Sequence, residues 1–185
     1  MWGIEMGLFA YTLALRRTPK MDWTNLKPRL EMFLYGKEAA VTDLSQELSG
    51  YGMVTLSPDT GAVLPNLAER ISKMTGDYVV ITQIVDSDFC IAELYYNGQQ
   101  VQECYIGRIY LEVWLAHMVR KPNVNLWLPL LKDQNDLPVY RKALRGGLLF
   151  VEEQLRTLSE LTDLPIFDND LLDAAQERNI HPLFF

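Results

Sequence analysis

Residues 78–106, YVVITQIVDSDFCIAELYYNGQQVQECYI, decide how this chain folds. Tyr78 to Val85, Phe89 to Tyr96 and Val101 to Ile106 are three runs of strand length, rich in β-branched, aromatic and apolar residues. Asp86-Ser87-Asp88, between the first two, is turn chemistry. Asn97-Gly98, before the third, is the dipeptide favoured in two-residue hairpins, where both central residues take φ > 0. Strands joined by turns this short run in alternate directions, since parallel neighbours need a crossover connection. The segment therefore predicts an antiparallel meander of three strands.

Toward the N-terminus, Gly7 to Arg16 alternates Phe9, Tyr11, Leu13 and Leu15 with Leu8, Ala10, Thr12 and Ala14, the period of a strand, and predicts one covered on a single face. Asp22 is placed to cap a helix from Trp23 to about Tyr35, with Leu26, Leu30 and Phe33 at helical spacing, Pro28 in its first turns and Gly36 as its stop. Asp43 to Leu48 reads as a short helix, and Gly50 to Pro65, rich in Gly, Ser, Asp and Pro, as a loop. Asn66 then caps a helix through Met74 with Leu67, Ile71 and Met74 on one stripe and Gly76 at its end.

Beyond Gly107 the pattern turns helical. Ile109 to Met118 has a helical stripe that ends before Pro122, and Asn125 to Leu131 is apolar but interrupted by Pro129. Pro138 suits the first turn of a helix to Leu144, stopped by Gly146-Gly147. Leu148 to Leu161 carries Leu148, Val151, Leu155 and Leu158 on one face, and a last helix is expected from Asp170 to Arg178. The expected architecture is α+β: an antiparallel sheet, made of the N-terminal strand and the meander 78–106, packed with helices on one face, the C-terminal half being mainly helical. Residues 1–185 are expected to form a single domain, a length one core can serve.

Composition is ordinary for a globular chain, 49% hydrophobic and 22% charged. No apolar run reaches the roughly 18 residues of a membrane span. The apolar stretch Met6 to Leu15 is preceded by Glu5 and followed by Arg16 and Arg17, the reverse of a secretory signal. The expectation is a cytoplasmic protein without a membrane partner. Two cysteines, Cys90 and Cys104, are too few for a disulfide framework or a four-cysteine zinc site; as neighbours on adjacent strands they read as buried free thiols, with a cross-strand bridge as the alternative.

The net charge of −7 disfavours binding to a phosphate backbone, so no nucleic-acid partner is expected. The charge is unevenly spread. Between Glu152 and Arg178 lie Glu152, Glu153, Glu160, Asp163, Asp168, Asp170, Asp173 and Glu177 against Arg156 and Arg178, a net of −6. Between Arg108 and Arg145 the bases Arg108, Arg120, Lys121, Lys132, Arg141, Lys142 and Arg145 outweigh Glu112, Asp133 and Asp136, a net of +4. The basic groups Arg16, Arg17, Lys20 and Arg141, Lys142, Arg145 lack interleaved exposed aromatics and read as solvated faces.

Asp86-Ser87-Asp88 also resembles, over about ten residues, the site of haloacid-dehalogenase-like phosphotransferases, in which two aspartates one residue apart at the end of an apolar strand serve as nucleophile and general acid around Mg²⁺. That resemblance implies catalytic roles for Asp86 and Asp88, with Asp168, Asp170 and Asp173 as a later acidic motif. It departs from the family's pattern after Asp88, where Phe89 and Cys90 begin a strand and no parallel crossover follows. A polar turn between two strands accounts for the same three residues.

Other chemistry finds little support. His117 lies in the apolar run Trp114 to Met118 and reads as a core histidine, and His181 beside Pro182 as a docking or surface residue. No GxSxG or SxxK pattern is present, and Gly146-Gly147 has no phosphate-loop lysine beside it. Glu93 is unusual within a strand, and counting back from the Asn97-Gly98 turn pairs it with Gln102, which predicts a polar face at the outer end of the meander.

These readings favour a non-enzymatic acidic module without a cofactor that neutralises a basic protein partner, as bacterial immunity proteins do for their toxins. The binding residues expected are Glu152, Glu153, Glu160, Asp163, Asp168, Asp170 and Asp173, with Phe167, Phe184 and Phe185 as apolar anchors or packing residues beside them. The alternative is a Mg²⁺-dependent phosphotransferase or hydrolase using Asp86 and Asp88.

Overall fold

The computed structural model describes residues 10–16, 25, 28, 29, 32, 39–42, 51–56, 64–85, 88–107, 120–146, 150–162, 164, 166 and 167, with backbone alone at 10, 11, 16, 39–42 and 51–56. Six strands are described: β1 (Ala10–Arg16), β2 (Ala39–Thr42), β3 (Tyr51–Leu56), β4 (Tyr78–Val85), β5 (Phe89–Tyr96) and β6 (Gln99–Gly107). They form one sheet in the order β2-β3-β1-β4-β5-β6, and every neighbouring pair is antiparallel. Helices are α1 (Leu64–Thr75), the single turn α2 (Val124–Trp127), α3 (Leu137–Arg145) and α4 (Val151–Leu161). A 3-10 turn at Leu128–Leu130 continues α2, and another at Gln134–Asp136 leads into α3.

The meander stands as its residues predict. Asn97 and Gly98 have φ of 49° and 79°, the left-handed pair that a two-residue hairpin requires. β6 begins at Gln99, two residues earlier than the apolar run suggests, because ladder bonding does not need apolar side chains. The N-terminal strand pairs with β4, Leu13 opposite Ile81.

Two sequence expectations are overturned, and one strand lies where no element was expected. Residues 51–56 are a strand within the segment read as a loop, since the Gly, Ser, Asp and Pro that flank them obscure the short run Met53 to Leu56. β2 has only four residues, too few to show a period. Both join the β1 side of the sheet and place β1 between β3 and β4.

The second correction concerns the layers. β1 is not covered on one face: Thr12, Leu13, Ala14 and Leu15 are all 0% exposed, and Val79 to Thr82 are buried in succession. Strand side chains alternate between faces, so consecutive burial means both faces are covered. On one face Ala14, Val80, Ile84, Ala92 and Leu94 join a core cluster with Trp127, Tyr140, Leu144, Leu155 and Leu158 of the C-terminal helices. The opposite parity, Leu13, Leu15, Val79 and Ile81, lies outside that cluster, as do the buried Leu64, Leu67, Ala68 and Ile71 of α1. α1 packs along β4, β5 and β6, and at its C-terminal end Ser72 Oγ accepts the Gly98 N–H at 2.9 Å. Helices therefore lie on both faces. Each aliphatic side chain removed from water this way contributes about 1.5–3 kcal/mol.

Local chemistry sets the helix ends. α1 begins at Leu64, two residues before the expected Asn66 cap, because Pro65 is tolerated in a first turn where its missing N–H has no partner to lose. It ends at Gly76, whose φ of 64° is the left-handed stop the sequence implies. α3 starts one residue before Pro138 and runs one past Leu144. The buried Gln154 amide donates to Ala143 O at 2.7 Å and to Gly146 O, so α4 closes the carbonyl end of α3. At residues 25, 28, 29 and 32 the backbone is helical, within the span read as the first helix. The helices expected at 43–48, 109–118 and 170–178 lie outside the described residues.

Candidate functional site

The acidic segment begins on α4. Phe150 precedes the helix in extended conformation and offers no side-chain cap, so the first-turn acids Glu152 and Glu153 are the groups that complement the positive end of the helix. Val151, Gln154, Leu155 and Leu158 are buried inward, while Glu153, Arg156 and Glu160 are exposed. Glu153 and Glu160, seven residues apart, share the outward face, with Arg156 near them. Glu152 is half-buried and its Oε2 is buried without a hydrogen-bond partner.

After α4 the chain folds back on itself. Phe167 N donates to Ser159 Oγ at 2.8 Å, and Ile166 O accepts from Thr12 Oγ1 at 3.3 Å, beside the buried Thr12–Thr82 hydroxyl pair. Phe167 is 2% exposed and belongs to the core, so it is not a rim anchor. Asp163, Asp168, Asp170, Asp173, Phe184, Phe185, His117 and His181 lie outside the described residues.

Asp88 sits at the β4–β5 turn, half-buried, with its N–H bonded to Val85 O at 3.2 Å. Asp86 lies outside the described residues. The turn joins strands whose ends, Val85 and Phe89, are directly paired, so β4 leads into an antiparallel hairpin rather than the parallel crossover of the phosphotransferase fold. Among the described residues no group of three or more His, Cys, Asp and Glu side chains is placed to hold a metal ion. No described helix is long and apolar enough to cross a membrane.

Glu93 is partnered, but not as the turn count predicts. Between Leu94 and Tyr95 the β5–β6 register shifts, Leu94 facing Gln102 and Tyr95 facing Gln100, so Val101 is an extra residue and Glu93 lies opposite Glu103. A bulge of this kind cannot be seen in a two-residue hairpin sequence. Two carboxylates directly opposed repel each other. The Glu93 carboxylate is held by Tyr95 Oη, donating at 2.6 Å, and by Gln100 Nε2 at 2.8 Å. Burial, followed by the hydrogen bond to Glu93 and the charges of Glu93, Glu69 and Glu103, pushes the Tyr95 phenol well above its ordinary range.

The bulge also aims Gln102 at the other face. Its Oε1 accepts from Trp127 Nε1 at 2.8 Å and from Asn123 N at 3.1 Å, tying the start of α2 to β6.

Cys90 and Cys104 are free and buried on that same face. Burial and the neighbouring Cys104 raise Cys90 well above the usual 9.0. Burial and Glu103 push Cys104 up to about 12. Burial likewise raises Tyr140. All four raised groups are neutral when protonated, so the native state holds their protons more tightly than the unfolded chain does. Their contribution to stability is complete below about pH 9 and is lost as pH rises toward 12. The urea midpoint is expected to be level from pH 7 to 8.5 and to fall by pH 10.5. Neither thiol should react with Ellman's reagent before unfolding; rapid reaction of native protein would show that the sheet face is open.

Basic residues gather in the last turns of α3. Asn123, Val124, Asn125, Arg141 and Arg145 line an open groove of about 480 Å³. Sequence reasoning found the arginines but not the two asparagines, which lie in a segment marked only by its apolar content and prolines. Gly146 has φ −71° and its N–H bonds to Lys142 O, so it acts as a helix stop; Gly147 lies outside the described residues. No family model, curated protein or solved structure matches the chain.

Proposed function

We propose that this chain is a non-enzymatic module that binds a basic protein through its acidic C-terminal segment, in the way an immunity-type or inhibitor protein neutralises a basic toxin. The observation that carries the reading is the charge distribution: residues 152–178 hold a net −6 of the chain's −7. The exposed Glu153 and Glu160 on one face of α4 are the described part of that surface, and a field of one sign accelerates encounter with a partner of the other. The likeness to immunity proteins is one of charge and size, an analogy of role and not of fold.

The test is a pull-down from the source cell at low and high salt. It compares wild type with a Glu153→Lys/Glu160→Lys variant and with a variant reversed at Asp168, Asp170 and Asp173. Basic proteins retained by wild type at low salt, released at high salt and lost from the variants support the reading. Recovery of the same proteins by all three sinks it.

A further inference from the structure

The groove between α2 and α3 is chemically opposite to the acidic segment. Among the described residues its charged lining is Arg141 and Arg145, one helical turn apart on α3 and both exposed, with no described carboxylate beside them in the lining. Arg145 is oriented: its Nε donates to Pro122 O at 2.9 Å, which directs the remaining guanidinium N–H groups away from that carbonyl. Across from the arginines stand Asn123 and Asn125. Asn123 is itself fixed, its Oδ1 accepting from Asn125 N at 3.2 Å and its own N–H bonded to Gln102, so its amide NH₂ retains its donors. Val124, which also lines the groove, and Trp127 are buried in the core cluster and anchor α2 to the sheet.

Basic residues near a helix C-terminus complement the helix dipole, and that accounts for Lys142 and Arg145 in the last turn of α3. It does not account for a cavity or for the placement of Arg141 a turn earlier, and although Asn123 caps α2, that role engages only its side-chain oxygen. Guanidinium forks opposite amide donors match the oxygens of phosphate or carboxylate groups. The volume falls within the range of small-molecule sites, roughly 300–1,000 Å³.

We propose that this groove is a binding site for a small multivalent oxyanion, held by Arg141 and Arg145 with Asn123 and Asn125 as neutral donors. Lys142, Arg120 and Lys121, all exposed, add positive charge on the same stretch of chain.

The experiment titrates the full chain at low salt with inorganic pyrophosphate and, separately, with citrate, reading binding by calorimetry and location by backbone amide shifts. Saturable binding of pyrophosphate, citrate or both is expected, with shifts concentrated at 123–125 and 141–145; the stronger ligand tells phosphate from carboxylate recognition. Arg141→Gln is expected to weaken it at least tenfold, and Arg145→Lys, which keeps charge but loses the fork, severalfold. Asn125→Asp, which places a carboxylate in the groove, should abolish it. A melting curve for each variant confirms folding. Lack of saturation with either anion, shifts elsewhere on the surface, or unchanged affinity in folded Arg141→Gln would overturn the proposal.

Discussion

Replacing Trp127 with alanine is expected to remove about 3–5 kcal/mol of stability, the usual cost of deleting a large aromatic from a core. Trp127 is 0% exposed and is among the largest fully buried side chains. It sits on a single helical turn, far below the length at which a helix sustains itself, so α2 is held by packing and not by its own ladder. The indole occupies the junction between β6 and the C-terminal helices, where its N–H satisfies Gln102 Oε1 at 2.8 Å, while the backbone carbonyl of Trp127 accepts the buried Tyr140 hydroxyl at 2.8 Å. Against a typical total of about 5–15 kcal/mol, the loss amounts to roughly a fifth or more. The melting temperature should fall by roughly 10 °C. Trp127→Phe separates the two contributions. It keeps a ring in the cavity while taking away the donor, and should cost about 1–2 kcal/mol. Urea unfolding measures both, and a loss below about 1 kcal/mol for the alanine variant would mean that α2 does not brace the sheet.

Gly107→Ala is expected to cost about 2–4 kcal/mol, from backbone strain and from overlap. The residue has φ of +100°, where side chains are rarely tolerated, and an added Cβ would lie 2.6 Å from Asp88 O, 2.9 Å from Val151 Cγ2 and 3.0 Å from Phe89 Cα. Two of those three atoms are backbone, so no rotamer change relieves the contact. The three elements that meet there are the β4–β5 turn, the end of β6 and the start of α4. Gly98→Ala is the control. It too has positive φ, 79°, but the nearest atoms an added Cβ would meet all belong to Lys73, its Cβ at 3.0 Å and its movable Cγ and Cδ at 3.3 Å, none as close as Asp88 O is at Gly107. Its penalty should be smaller, on the order of 1 kcal/mol for the backbone term. Equal midpoints for the two variants would show that Asp88 and Val151 can move apart without loss.

What the residues reveal in advance follows from the range over which each feature is determined. The meander is legible because its evidence is local: β-branched runs with Asn97-Gly98 between them. The stripe of α4 and the stop at Gly76 are local too. The coverage of β1 on both faces was missed because Leu13 and Ala14 are apolar alike, and periodicity cannot say whether Ala and Thr on the second face meet water or another layer. Thr12, 0% exposed, is such a case: its hydroxyl is satisfied by Thr82 and Ile166, partners 70 and 154 residues away. The pairing of Glu93 was missed by one position because Val101 bulges. The groove was half legible, since Arg141 and Arg145 share a helical face, whereas Asn123 and Asn125 reach them only through the chain path that Gln102 and Trp127 fix.

The central place of β1 bears on how the chain is made. β1 is complete at Arg16, yet its neighbours are β3, ending at Leu56, and β4, ending at Val85. At synthesis rates of about 5–20 residues per second, the ribosome takes roughly 3–14 s to add the intervening length. Until β3 is complete at Leu56 a strand destined for burial on both sides has neither ladder partner at full length, and until Val85 it has only one. The nascent polypeptide thus exposes both ladder edges of β1 before either neighbour exists, and closes the second of them only when β4 has been made.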